Sequence, residues 1–135
     1  MNDKELMELA CKAREKAYAP YSGFKVGAAL LTKNGKVYCG CNIENASYTP
    51  TVCAERTAFF KAVSEGERDF EKIAIAGGGK TVANKLCAPC GVCRQVMAEF
   101  CDENFILVLG DENGTEEYRL GEILPLAFTV NDLKK

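Results

Sequence analysis

Histidine is absent from all 135 residues. Any metal site here must therefore be built from cysteine or carboxylate, and no general acid or base can be imidazole. Long apolar runs are absent too. The longest, "VGAALL" and "FILVL", fall far short of the ~20 residues that cross a bilayer. The first residues, "MNDKELMELACKAREK", are charged throughout and lack the apolar segment of a signal peptide, so a cytoplasmic location is expected. The net charge is only −2, which gives no electrostatic case for nucleic acid or an anionic membrane as partner. There are no repeats, linkers or low-complexity stretches. What remains is 47% hydrophobic and 27% charged, the composition of one folded domain over residues 1–135 with a single core.

Cysteine, by contrast, is plentiful. There are eight: 11, 39, 41, 53, 87, 90, 93 and 101. In a small secreted chain they would read as four disulfides. Without an export signal, metal binding or chemistry is the better account of some of them. Cys11, Cys39, Cys41 and Cys101 read as small core residues.

The periodicity gives an α-β-β-α-β-α-β-β order. Residues 3–18 form an amphipathic helix with Leu6, Leu9, Ala10, Ala13 and Ala17 on one face. Strands follow at 24–32 and 35–43, joined by "KNGK", whose Asn34-Gly35 pair is a hairpin signal. Pro50 marks a helix start, and that helix runs to about Gly66 with Phe59 and Phe60 in the core. A strand covers 70–78, a connector 80–89 and a helix 90–101. Strands at 104–111 and 116–120 and one helical turn in 121–128, cut off by Pro125, complete the chain. Helices between strands imply an α/β layered fold, and the initial hairpin makes its five-stranded sheet mixed.

Two stretches carry chemistry. In "TVCAERTAFF" a thiol, Cys53, and a carboxylate, Glu55, interrupt an apolar helix. Two residues apart within a helix point about 200° from each other, so they can share a site only where the helix begins. In "APCGVCRQVM" Cys90 and Cys93 form a C-x-x-C at a helix start. There both sulfurs can reach one point, and the dipole favours thiolate. A redox pair or plain packing would also account for Cys90 and Cys93 alone. With Cys53 added, three thiolates at two helix N-termini can hold one Zn²⁺ and leave its fourth position open, as a catalytic zinc requires. Cys87 is the one nearby candidate to close that position. Glu55 then has a role, as a carboxylate beside a water bound at that open position. The anionic sulfurs need positive compensation, for which Arg56 is preferred over Arg94.

"CAERTA" with "PCGVCRQV" resembles the zinc cytidine deaminases. As a class, zinc nucleobase deaminases hold the metal by His or Cys plus a P-C-x-x-C pair, with a nearby Glu that moves protons; that template is the class's own, not a product of the spacing. "YAPYSGFKVGAAL" (18–30) and "NIENASY" (42–48) are similar to the substrate-binding segments of the small homotetrameric members, so four motifs in order cover residues 18–100. The resemblance implies a three-layer α/β/α sandwich and hydrolytic deamination of cytidine and deoxycytidine, a pyrimidine-salvage reaction. It implies one zinc on Cys53, Cys90 and Cys93, with Glu55 catalytic. It assigns Asn42 and Glu44 to the sugar, chiefly its 3′-hydroxyl, Phe24 to stacking on the base and the Ala54 backbone to the base edge. Tyr48 and Phe128 would cross to a neighbouring subunit's site in a homotetramer. A deaminase of another cytosine-like compound, such as a nucleoside antibiotic, is the alternative within the fold group. A structural zinc module for protein interaction is the alternative outside it.

Overall fold

Alternation along one strand decides the architecture. Side chains leave a strand on opposite faces in turn. In β1 (Lys25–Thr32), Val26, Ala28 and Leu30 face one way and Ala29 and Leu31 the other, and all are buried. A strand buried on both faces needs cover on both. The computed structural model describes residues 1–78 and 86–133. The cover comes from α1 (Asp3–Arg14) on one face and from α2 (Ala54–Ser64) and α3 (Gly91–Phe100) on the other.

The remaining strands are β2 (Val37–Cys41), β3 (Phe70–Gly78), β4 (Ile106–Asp111) and β5 (Gly114–Arg119). Two single turns, α4 (Leu120–Ile123) and α5 (Val130–Leu133), end the chain. The sheet order is β2-β1-β3-β4-β5. β1 runs antiparallel to β2 and β3, β4 antiparallel to β5, and β3 parallel to β4 through the α3 crossover. This is the expected three-layer α/β/α arrangement on a mixed five-stranded sheet.

Leu6, Met7 and Ala10 of α1 pack on Ala29, Leu31, Ala74, Ala76 and Val108. On the other face Ala54, Ala58, Phe59, Met97 and Ala98 pack on Leu30, Ile73, Ile75, Leu107 and Leu109. Each large side chain buried here contributes about 1.5–3 kcal/mol. Phe59 ties α2 down hardest, with ring centroids 5.1 Å from Phe70 and 6.0 Å from Phe105. Phe60 is not core as expected: it is 49% exposed, because it lies one helical step, about 100°, from Phe59. Gly40 of β2 lets α2 approach closely. A Cβ there would stand 2.6 Å from the Ala54 oxygen and the Ala58 nitrogen.

Several boundaries differ from expectation. α1 ends at Arg14, because the Tyr18 N–H must donate to the Asn42 oxygen. α2 begins at Ala54, not at Pro50. Val52 exchanges both backbone hydrogen bonds with Ile43, at 3.0 Å each, and so stays extended. β2 is shorter than 35–43, β5 starts two residues early, and α5 was not expected. The connector at 80–89 lies partly, at 80–85, outside the described residues, as does Gly79. Among the described residues no helix is long and apolar enough to cross a membrane.

Candidate active site

The ladder between Ile43 and Val52 delivers the chain, still extended, to Cys53. That residue (φ −77°, ψ 156°) caps α2. Cys90 (φ −68°, ψ 168°) caps α3 in the same way after buried Pro89, and Cys93 sits in the first turn of α3. Neither capping thiol spends its sulfur on its own helix. The two helix N-termini, each with unpaired N–H groups and a positive dipole end, therefore converge where the sulfurs do.

The three Sγ atoms lie within 4.8 Å of one another, and Cys53 and Cys90 are 3.8 Å apart. Zinc–thiolate bonds of about 2.3 Å in a tetrahedron space sulfurs roughly 3.8 Å apart, so the donor set fits Zn²⁺. Among the described residues the cluster comprises these three cysteines alone, which leaves one tetrahedral position open. Cys87 does not close it. Its sulfur lies over Gly77 of β3, and burial pushes its thiol up to about 11, so it packs as a thiol.

Without metal the charge pattern favours one thiolate, at Cys53. The hydrogen bond from Cys93, aided by Arg56, brings Cys53 down to about 5, while the same bond and burial push Cys93 up. Arg56 Nη2 donates to Cys53 Sγ at 3.5 Å. Its Nε is buried without a partner, an orphan donor beside sulfurs that accept once they are thiolates. Arg94 is committed elsewhere. It donates to the Pro89 oxygen at 2.8 Å and the Ile123 oxygen at 2.6 Å, bracing the loop that carries Cys90.

Glu55 answers for its odd place in the sequence. It is only 4% exposed, on the same side of α2 as Ala58, Phe59 and Ala62. Because Cys53 precedes the helix proper, the opposed geometry of helical residues two apart does not apply. Burial first, then the charge of Cys53, pushes the carboxyl up to about 7, against a hydrogen bond from Cys93. A carboxyl near neutrality beside three sulfurs can both take and give a proton at working pH.

A second group adjoins this one through the 43–52 ladder. Asn42 is buried; its Nδ2 donates to the Phe24 oxygen and its Oδ1 accepts from the Val26 N–H, both at 2.8 Å. Glu44 Oε1 accepts from the N–H groups of Tyr21 (3.0 Å) and Ser22 (3.1 Å), and Oε2 accepts from the Ser22 hydroxyl. Phe24, half-exposed, thus shares a ribbon with Asn42 and Glu44. Ala54 is the fully buried first residue of α2. Tyr48 and Phe128 are not drawn into either group and stand 76% and 60% exposed. Sequence reasoning missed Ser22. Beyond its place within the 18–30 segment, its signal was a hydroxyl in the "PYSG" turn, a residue type that bonds locally in turns.

Comparison with known proteins agrees with this geometry. The model of the family "Cytidine and deoxycytidylate deaminase zinc-binding region" matches residues 1–109. A cytidine deaminase of Halalkalibacterium halodurans is 52% identical over 134 residues, 98% of each chain. One of Sporosarcina psychrophila is 48% identical over 134 residues, 98% of this chain and 96% of that one. The crystal structure of a cytidine deaminase from Burkholderia pseudomallei superposes with a TM-score of 0.86 at 50% identity, covering 95% of this chain and 100% of the other. With three thiols, a buried carboxyl and the fold of these relatives in one chain, the protein belongs to the cytidine and deoxycytidylate deaminase family.

Proposed function

We propose that this chain hydrolytically deaminates cytidine and deoxycytidine to uridine and deoxyuridine, releasing ammonia, as a cytoplasmic single-domain enzyme of pyrimidine salvage. The observation that carries the reading is Glu55, a buried carboxyl held near neutrality beside Cys53, Cys90 and Cys93. Those three sulfurs hold Zn²⁺, which when bound supplies Lewis acidity and makes water nucleophilic near neutral pH. Glu55 carries two protons in turn, taking each from the attacking water and passing the first to ring N3 and the second to the departing amine. Arg56 offsets the charge of the sulfurs. Phe24 stacks on the pyrimidine, the Ala54 backbone meets the base edge, and Asn42 and Glu44 bind the sugar. A hydroxyl common to ribose and deoxyribose suits both nucleosides. An anionic Glu44 repels a phosphate at that hydroxyl, which disfavours an internal nucleotide of DNA or RNA as substrate. Tyr48 and Phe128 complete the sites of neighbouring subunits in a homotetramer.

The test is the ultraviolet absorbance of cytidine and deoxycytidine incubated with zinc-loaded protein. Loss of the cytosine band on both is expected, and Glu55→Gln should keep its zinc while losing about 10²–10⁴-fold in turnover. Turnover of neither nucleoside, with zinc bound, would instead indicate a different cytosine-like substrate or a structural zinc. Normal turnover by Glu55→Gln would remove the carboxyl from the mechanism.

A further inference from the structure

We infer that Ser22 is a positioning residue for nucleoside recognition: its hydroxyl sets the Glu44 carboxylate against the backbone of Phe24, so that sugar and base are read at one fixed spacing. The inference rests on the deaminase reading and deepens it. The Ser22 hydroxyl has a single hydrogen, and it goes to Glu44 Oε2. The Ser22 Oγ itself accepts the Phe24 N–H at 3.0 Å. One atom thus links the proposed sugar contact to the proposed base contact.

Further hydrogen bonds hold the loop on either side of that link. The Glu44 N–H donates to the Tyr18 oxygen at 2.8 Å, and the Tyr18 N–H donates to the Asn42 oxygen at 3.0 Å. Asn42 in turn clamps both Phe24 and Val26. The loop is thus stapled to residues 42–44 at both ends, and between the staples it turns at Gly23 (φ +70°). Within it, only Ser22 joins loop to carboxylate through a side chain among the described contacts. A carboxylate offers about four acceptor positions. Three are taken, by Tyr21 N–H, Ser22 N–H and the Ser22 hydroxyl, which leaves one for a single sugar hydroxyl. The Ser22 hydroxyl also holds Glu44 below the usual carboxylate range, so it stays an acceptor at neutral pH.

The test compares zinc-loaded wild type, Ser22→Ala and Ser22→Thr on cytidine and on 3′-deoxycytidine, by absorbance. A hydrogen bond to a charged group governs about a tenfold effect on binding. Ser22→Ala should raise KM for cytidine about tenfold with kcat little changed, and Ser22→Thr, which keeps the hydroxyl, should restore it. On 3′-deoxycytidine, wild type and Ser22→Ala should share one KM, because the hydroxyl that Glu44 would bind is missing. An unchanged KM for cytidine, or an equal loss on both substrates, overturns the positioning role. Should Ser22→Ala not fold, Ser22→Cys, a near-isostere and weak donor, carries the same comparison. Failure of the wild type on both nucleosides would instead overturn the deaminase reading itself.

Discussion

Glu55 is poised against the stability of its own fold. A carboxyl buried without zinc prefers its proton, and its folded pKa of about 7 stands above the ordinary 4.5. The sign follows from that. The folded state binds the proton more tightly than the unfolded state, so the carboxyl's contribution to stability is complete below pH 4.5 and is lost as pH rises through 7. The loss is about 3 kcal/mol. In zinc-stripped protein, Glu55→Gln should therefore gain stability over wild type by about that amount at pH 8, and show no such gain near pH 4. Denaturant unfolding at the two pH values checks this; a pH-independent difference would mean that the carboxyl is solvated. At this scale much of the site was legible. Cys53, Glu55, Cys90 and Cys93 could be singled out because a thiol and a carboxylate interrupt an apolar helix and a C-x-x-C opens another, while their roles came with the family resemblance. Ser22 could not, because a serine in a Pro-Gly turn has many local bonds available, and only the three-dimensional return of Glu44 selects one.

α2 and its cap carry Cys53, Ala54, Glu55 and Arg56, and β2 sets the helix's height. Gly40 lies under the first turn of α2, where an added methyl would meet the Ala54 oxygen and the Ala58 nitrogen at 2.6 Å. Both atoms belong to helix backbone and cannot rotate away, so the whole first turn must lift. Gly40→Ala should cost about 1–3 kcal/mol as an overpacked contact. It should also displace Cys53 from Cys90, weakening zinc retention against a chelator. Gly35 makes the contrast: it sits in the β1–β2 turn with nothing near its missing Cβ. Gly35→Ala there meets only backbone strain at φ +91° and should keep its zinc. Equal zinc loss in the two variants would show that Gly40 is not a seat for α2. The elements themselves were readable from period and turn signals, but their ends were not. Pro50 favours a helix start, yet the pairing of Val52 with Ile43 postpones it to Ala54. That pairing closes the 44–51 loop, and the period of neither flanking segment carries a trace of it.

The molecule as a whole presents large side chains that its own core does not use. Tyr48 and Leu126 both adopt positive φ, 63° and 54°, at a cost of about 1–2 kcal/mol for residues other than glycine. Leu126 stands two residues before Phe128, whose backbone oxygen accepts from Gln95 Nε2 at 2.7 Å. Strained turns that hold exposed aromatics outward gain nothing for an isolated chain, and they suit contact with further copies. Sedimentation of the zinc-loaded protein tests the proposed homotetramer: a tetramer is expected on that proposal, and a monomer would remove the shared sites from the reading. Phe128→Ala buries little within its own chain, so its subunit stability should move by no more than about 0.5 kcal/mol, while kcat/KM falls. Mixing separates a shared site from a local one. Phe128→Ala and Glu55→Gln subunits, unfolded together and reassembled, produce some sites that pair an intact Glu55 with a neighbour's intact Phe128. Activity above the sum of the two separate proteins is expected if Phe128 serves the adjoining site. Tetramers that reassemble with no such gain would mean that each chain supplies its own aromatic, because then every site keeps the defect of the chain that builds it.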